Sequence, residues 1–124
     1  MKSRLRAGGL LLTVWLLTGI WPVEAGEVDA GRRIFAACSV CHDTGPANKV
    51  GPTLLGIVGR KAGTAPGFRY SRAMKRSKIV WHEDALSAYL ADPQETVPGN
   101  AMAFPGIPDQ GQRMALIAYL KTLK

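Results

Sequence analysis

Apolar side chains recur at three- and four-residue intervals in two parts of the chain, and this spacing predicts two amphipathic helices. The first predicted helix covers about residues 83–91 and ends before Pro93, which cannot continue a helix. The second covers about residues 109–123. Their buried faces are formed by leucine and tyrosine side chains, namely Leu86, Tyr89 and Leu90 in the first helix and Leu116, Tyr119, Leu120 and Leu123 in the second.

A third helix is predicted nearer the N-terminus, over about residues 29–37, where Asp29 favours the start and Ile34 and Phe35 supply apolar surface. No segment has the alternating pattern of a strand. Residues 43–81 are rich in glycine and proline, and so long a stretch without regular structure is unusual in a small domain. Because three short helices bury little apolar area, the pattern predicts a large non-protein hydrophobe at the centre.

The N-terminal residues 1–25 have the composition of a secretory signal. Basic residues precede a short apolar run, and small residues lead to Ala25, so we predict a signal peptide that is cleaved after Ala25. The remaining residues, 26–124, are enough for one domain. The alternative is an uncleaved leader that anchors the chain to a membrane, although its apolar run is shorter than the roughly 18 to 20 residues of a spanning helix. The predicted location is therefore the periplasm.

The charge balance is basic, with 16 Lys or Arg residues against nine Asp or Glu residues. The predicted leader holds three of the basic residues and one acidic residue, so residues 26–124 keep thirteen and eight, a net charge of +5. Such a balance favours solubility and suits docking on an acidic partner. We expect no nucleic-acid partner, because an exported chain without aromatic residues interleaved in a basic stripe lacks the pattern of such binding.

Both cysteines of the chain lie in the segment "CSVCH", as Cys38 and Cys41, and His42 follows directly. A disulfide across two residues would close too small a loop to stabilise the fold much. The spacing C-x-x-C-H is instead typical of covalent attachment of a c-type haem. Cys38 and Cys41 would then form thioethers with the haem, and His42 would be the proximal iron ligand.

Two other interpretations share these cysteines. A thioredoxin-like redox pair sits in a βαβ unit, which the pattern does not predict here. A zinc site needs about four ligands, and the only other histidine of the chain is His82. Haem attachment therefore explains the motif best.

The second axial position of the iron decides the function, since a vacant position permits gas binding or peroxide chemistry and a filled one leaves electron transfer. Met114 lies in a predicted helix, where a core position is expected, and Met74 lies in a basic run that suggests a surface loop. His82 begins a helix and is expected to face solvent. Met102 lies between helices in the Pro- and Gly-rich loop "VPGNAMAFPG", so loop context favours Met102 as the ligand.

Residues 26–124 resemble class I c-type cytochromes of the mitochondrial and short bacterial type along nearly their whole length. The resemblance is carried by "GEVDAGRRIFAACSVCH", "VGPTLLGIVGRKAGTAPGFRYS", "IVWHEDALSAYLADP", "VPGNAMAFPGI" and "LIAYLK", in the same order and with similar spacing. It implies an all-α cytochrome c fold, with three main helices and long loops around one covalently bound haem c. It also implies that Met102 is the axial ligand opposite His42.

The resemblance implies further roles at matching positions. The Pro52 carbonyl would accept a hydrogen bond from the outer nitrogen of His42 and orient the ring. Tyr70 and Trp81 would donate hydrogen bonds to a haem propionate, and Arg60 would compensate its charge. Tyr89 would lie beside the Met102 sulfur. The first and third helices would cross through four residues, namely Gly31, Phe35, Leu116 and Tyr119.

Several positions depart from the family pattern. Met74 stands where these proteins usually have an asparagine near the haem, and Ala101 replaces a lysine that commonly precedes the axial methionine. Lysines are also missing at Ala37, Gln94 and Glu95, so the basic ring around the haem edge is thin. The positive charge gathers further along the chain, in Arg69, Arg72, Lys75, Arg76 and Lys78.

These features predict a one-electron carrier that is not an enzyme and acts as a monomer. Its expected donor is a membrane quinol-cytochrome c reductase-type complex or a periplasmic dehydrogenase, and its acceptor an oxidase or a reaction centre, each docked transiently. The alternatives are a dedicated electron-accepting subunit of one dehydrogenase, and a haem peroxidase or gas-binding module. The last two require an open iron position.

Overall fold

The computed structural model describes residues 23–124, so most of the predicted signal peptide lies outside the described residues. Five helices follow one another along this part of the chain, and all of its regular elements are helical, as predicted. They are α1 (Val23–Phe35), α2 (Arg72–Arg76), α3 (Glu83–Ala91), α4 (Pro93–Thr96) and α5 (Gln110–Leu120). Among these described helices, none is long and apolar enough to cross a membrane.

The helix predicted around residues 83–91 has the predicted bounds, as α3. The C-terminal helix begins as predicted, since the carboxylate of Asp109 accepts the Gln112 backbone N–H at 2.7 Å and caps α5. It ends at Leu120, earlier than predicted, because residues 121–123 continue as a turn. The predicted start of α1 at Asp29 was wrong. Residues 23–28 contain no helix-breaking proline, and the acidic Glu24 suits the first turn.

Helices α1 and α5 cross at a glycine, as the resemblance implied. A Cβ atom added to Gly31 would lie 1.9 Å from the Ala115 carbonyl oxygen and 2.8 Å from the Cβ of Tyr119. Only glycine therefore permits this distance between the two backbones. The Phe35 and Tyr119 rings pack beside the crossing, with centroids 5.1 Å apart, and the Arg32 guanidinium lies 5.5 Å from the Tyr119 ring centroid.

Helix α3 packs against α5 and contributes Leu86 and Tyr89 to the core. The Tyr89 ring packs on Trp81, with centroids 4.9 Å apart. Leu116, Ile117 and Leu120 of α5 are almost fully buried, at 1 to 3% exposure. The core is thus built from the three main helices together with buried loop residues such as Ile57 and Ile107, and it surrounds the site described below.

Pro93 ends α3 and also begins the short helix α4, which the sequence pattern did not indicate. The carboxylate of Asp92 caps α4 by accepting the backbone N–H groups of Gln94 and Glu95 at 3.1 and 3.0 Å. Proline suits the first helical position because it has no N–H to satisfy. The turn α4 leads into the loop that carries Met102.

Residues 43–81 form a long loop that includes one helical turn, α2, and one isolated bridge between Lys61 and Val80. The hydroxyl of Ser71 caps α2 by accepting the Met74 N–H at 3.1 Å. The expected surface position of Met74 was wrong, since its side chain is only 9% exposed. A single helical turn points Met74 inward and its basic neighbours outward, which the run of charges in the sequence conceals.

Candidate haem site

The main helices and the long loop enclose a cavity of about 450 Å³. All nine residues predicted for the site lie in its wall: Cys38, Cys41, His42, Pro52, Arg60, Tyr70, Trp81, Tyr89 and Met102. Most of the remaining wall is apolar, from helices and loops alike: Phe35, Leu54, Ile57, Phe68, Leu86, Leu90, Phe104, Leu116 and Leu120. The sequence-predicted residues are therefore brought together by the fold, although they span more than half of the chain.

The motif follows α1 directly as a run of turns. The Cys38 N–H donates to the Phe35 carbonyl at 2.8 Å, and the His42 N–H donates to the Cys38 carbonyl at 2.9 Å. This winding brings Cys38, Cys41 and His42 to the same cavity, and both cysteines are half-buried there.

The imidazole of His42 is held from two sides. Its Nδ1 donates to the Pro52 carbonyl at 2.7 Å, so Nε2 is the ring nitrogen that remains available to bind a metal. Gly51 packs directly on the ring, because a Cβ there would lie 2.5 Å from the His42 Cε1. The ring orientation is thus fixed by backbone groups rather than by a flexible side chain.

Met102 is held by a loop that one buried side chain organises. The Asn100 side-chain oxygen accepts the Met102 N–H at 2.9 Å, and its amide donates to the carbonyls of Pro93 and Val97 at 2.9 and 3.0 Å. The Tyr89 hydroxyl lies 3.3 Å from the same Asn100 oxygen and 3.9 Å from the Met102 sulfur. Burial raises the pKa of Tyr89 to about 12, so its hydroxyl remains a donor at neutral pH.

Three polar residues of the wall are neighbours. The Trp81 backbone N–H donates to the Arg60 carbonyl at 2.9 Å, and the Arg60 guanidinium donates to the carbonyls of Leu55 and Thr53 at 2.9 and 2.8 Å. Burial lowers the pKa of Arg60, and the nearby Tyr70 acts in the opposite direction. The Tyr70 hydroxyl accepts the Ala65 N–H at 3.0 Å, which leaves its own proton to donate.

The other candidates for the second axial position differ in placement. Neither His82 nor Met114 lines the cavity, and His82 is exposed at the start of α3, as expected. Met74 does line the cavity. Sequence reasoning also missed Gly51 and Asn100, and the position of Asn100 two residues before Met102 in a loop was the available signal.

The residues present suit a covalently held haem. The cavity offers a large apolar wall, two thiols separated by two residues, and a nitrogen and a thioether sulfur as iron ligands. Among its polar wall residues, Arg60, Tyr70 and Trp81 can donate to anionic groups such as haem propionates.

Comparison with known proteins agrees with this chemistry. The family model described as Cytochrome c matches residues 28–124. The chain belongs to the cytochrome c family. As members of this family do, it carries one covalently bound haem c, and it is a class I electron-carrier cytochrome.

Individual cytochromes are similar along most of the domain. A cytochrome c2 from Rhodoblastus acidophilus is 46% identical over 102 residues, which are 81% of this chain and 95% of that protein. A cytochrome c from Sesamum indicum is 44% identical over 99 residues, 77% of this chain and 89% of that one. The solved structure of cytochrome cH from Methylobacterium extorquens superposes with a TM-score of 0.75 at 48% identity, covering 77% of this chain and 97% of that one. The fold is therefore the all-α cytochrome c fold, as predicted.

Proposed function

We propose that this cytochrome is a periplasmic one-electron carrier in which His42 and Met102 are the two axial ligands of the haem iron. Cys38 and Cys41 would hold the haem through thioethers. One observation carries the assignment: both potential ligands line the same cavity as both cysteines, and each is anchored by hydrogen bonds. When bound, the haem supplies an iron that changes between ferric and ferrous states.

The residues around the haem would favour the ferrous state of the iron. A methionine thioether favours ferrous iron and raises the reduction potential relative to a second histidine. The apolar wall acts in the same direction, because the extra positive charge of ferric iron is disfavoured in a medium of low dielectric constant. Arg60, Tyr70 and Trp81 would bind the propionates and keep these anionic groups oriented.

The proposed partners are redox proteins that dock transiently with the monomer. The donor is a quinol-cytochrome c reductase-type complex or a periplasmic dehydrogenase, and the acceptor is an oxidase or a reaction centre. The similarity to carriers named cytochrome c2 and cytochrome c supports this proposal. A dedicated subunit of one dehydrogenase would have the same site and differ only in its partner.

A peroxidase or gas-binding function is less well supported. Such a site needs an open iron position and, for peroxide chemistry, a distal acid–base residue. His82 is the only second histidine of the chain, and it does not line the cavity.

Absorption spectra of the ferric and ferrous protein, with and without carbon monoxide, test the ligand assignment. We expect no carbon monoxide binding by the wild type. Met102→Ala should bind carbon monoxide and have a lower midpoint potential. It should also lose the methionine-to-iron charge-transfer band at the red end of the visible spectrum. Met74→Leu and Met114→Leu are the matched controls and should keep all three properties. If Met102→Ala kept the wild-type spectrum and voltammogram, the assignment would be rejected.

The location is tested separately by cell fractionation and by the mass of the purified protein. We expect the protein in the periplasmic fraction, with Gly26 as its first residue. A protein that keeps residues 1–25 and sediments with membranes would support the anchored alternative instead.

A further inference from the structure

Met74 is the one side chain that the short helix α2 buries, and its exposed fraction is 9%. Three cations of the same helix, Arg72, Lys75 and Arg76, stand at positions i, i+3 and i+4, where like charges repel and destabilise a helix. Local choices that oppose folding in this way are expected where a segment serves a function. Helix α2 therefore places Met74 in the core at a local cost in stability.

Two close contacts hold α2 against neighbouring loops. A Cβ added to Gly63 would lie 3.0 Å from the Met74 carbonyl oxygen, so the two backbones approach closely there. A Cβ added to Gly99 would lie 3.5 Å from the Ala73 Cβ, in ordinary van der Waals contact. Because Gly99 belongs to the loop that carries Met102, α2 lies beside the loop of the proposed axial ligand.

Met74 lines the haem cavity together with Tyr89, Asn100 and Met102, and the polar groups of these residues form a closed network. A carboxamide has two N–H donors and an oxygen with two lone pairs. Both donors of Asn100 are used by backbone carbonyls, at 2.9 and 3.0 Å. Its oxygen accepts the Met102 N–H at 2.9 Å and lies 3.3 Å from the Tyr89 hydroxyl. Protein groups therefore satisfy this carboxamide completely.

Met74 adds no competing group to this network, because a thioether sulfur donates no hydrogen bond and accepts only weakly. Its flexible side chain can also fill irregular space in a core. A polar side chain at position 74 would have to take a partner from Tyr89 or Asn100, or bring water into the cavity. Either change would loosen Met102, whose N–H and sulfur are the other partners of these two residues.

We propose that Met74 is a positioning residue that keeps the second axial position of the haem iron closed to external ligands. It does so by excluding polar groups and water from the cavity that Tyr89, Asn100 and Met102 line. The inference rests on the proposed function, because it takes Met102 as the ligand at that position. It goes beyond that function, since it assigns the exclusion of other ligands to a residue that does not bind the iron.

Binding of imidazole to the ferric holoprotein tests the proposal, because an external ligand enters only in the fraction of molecules in which Met102 has left the iron. Met74→Gln nearly keeps the length of the side chain and makes it polar. Met74→Leu is the matched control, since it keeps the apolar character at a similar volume. Ile117→Val controls for a loss of stability, because Ile117 is buried but does not line the cavity.

The binding rate is measured at about pH 8, where imidazole is uncharged, from the loss of the methionine-to-iron band. We expect Met74→Gln to bind imidazole at least about tenfold faster than the wild type, because loop opening hydrates the buried carboxamide. Met74→Leu and Ile117→Val should stay within about threefold of the wild type. An unchanged rate in Met74→Gln would overturn the proposal. Equal acceleration in Met74→Leu would overturn it as well, since packing rather than polarity would then control access.

Hydrogen exchange of the Met102 backbone N–H in the ferrous protein is a second measurement that uses no external ligand. Met74→Gln should accelerate this exchange about tenfold, because it favours local opening of the loop. Ile117→Val should leave the exchange rate unchanged, since Ile117 stays buried when only the loop opens. An unchanged rate in Met74→Gln, or equal acceleration in both variants, would overturn the proposal.

Two further comparisons keep the outcome clear. If Met74→Gln does not fold, Met74→Thr, which introduces a single hydroxyl, is tested by the same two measurements with the same expected directions. A wild type that bound imidazole as fast as Met102→Ala would instead contradict the proposed function, because Met102 would then not occupy the second axial position.

Discussion

The Asn100 side-chain oxygen accepts the backbone N–H of Met102 at 2.9 Å, and the Asn100 side chain is only 7% exposed. Its amide group donates to the carbonyls of Pro93, the first residue of α4, and Val97, which directly follows α4. A single carboxamide therefore links α4 to the loop that carries the proposed axial ligand. It also lies within 3.3 Å of the Tyr89 hydroxyl.

Asn100→Ala should destabilise the holoprotein by about 2 to 4 kcal/mol, because it leaves several buried donors and acceptors without partners. The free energy of unfolding is measured by guanidinium titration. The same variant should weaken the methionine-to-iron band at neutral pH, since the loop around Met102 loses its anchor. Gln94→Ala is the control: the exposed side chain of Gln94 bonds only to the backbone of Gly99 and Asn100, and a loss of less than about 1 kcal/mol is expected. Equal losses in both variants would contradict the anchoring role.

Tyr89 should make the protein sensitive to alkali. Its pKa of about 12 in the folded protein lies above the ordinary value of 10.0, so the unfolded chain loses its proton first. The free energy of unfolding should therefore be unaffected below pH 10 and fall by about 1 to 2 kcal/mol as pH rises from about 10 to 12. Unfolding of the ferrous protein at a series of pH values measures this fall.

In Tyr89→Phe the free energy of unfolding should not show the decrease between about pH 10 and 12 that Tyr89 causes. Tyr119→Phe, which keeps Tyr89, should show this decrease in full. Tyr89→Phe should also lower the midpoint potential by a few tens of mV, because a hydroxyl near the Met102 sulfur withdraws electron density and favours ferrous iron. A higher potential in Tyr89→Phe would show that the hydroxyl does not act on the sulfur in this way.

Gly31→Ala should separate α1 from α5, since the new methyl group would lie 1.9 Å from the Ala115 carbonyl oxygen. We expect a loss of about 2 to 3 kcal/mol in the free energy of unfolding. Gly26→Ala on the same helix is the control, because a Cβ at Gly26 has nothing within 4 Å, and a change below about 1 kcal/mol is expected. Thermal unfolding followed by circular dichroism measures both, and a neutral Gly31→Ala would reject the close crossing.

Gly51→Ala should displace the His42 ring, because the added Cβ would lie 2.5 Å from Cε1 and 2.7 Å from Nδ1. The hydrogen bond to Pro52 would then lengthen, and we expect the holoprotein to be destabilised by about 1 to 3 kcal/mol with a smaller yield of haem-loaded protein. Gly45→Ala, whose Cβ would meet only Asp43 at an ordinary 3.4 Å, should retain both properties. Haem absorbance per mole of purified protein measures the loading.

Long periodic segments could be predicted from the sequence, and short ones could not. The leucine and tyrosine side chains of α3 and α5 recur at helical spacing, and this spacing can be read within each segment alone. The existence of both helices therefore followed from the pattern. The turn α2 lies in a basic run in which Met74 is the only buried residue. A single buried position cannot produce a periodic pattern in the sequence. Its burial depends on contacts with the cavity wall, which lie outside the segment itself.

The sequence by itself determined the chemistry of this protein: a C-x-x-C-H motif, a methionine in a stiff loop, and helices with one apolar face. These features are local, because the type and spacing of neighbouring residues decide which groups can bind a haem and which helix faces must be buried. Only the tertiary structure decided how the proposed ligands are held. The packing of Gly51 on His42 and the hydrogen bonds of Asn100 to Pro93, Val97 and Met102 depend on the path of the loop backbone, which residue type and spacing do not specify.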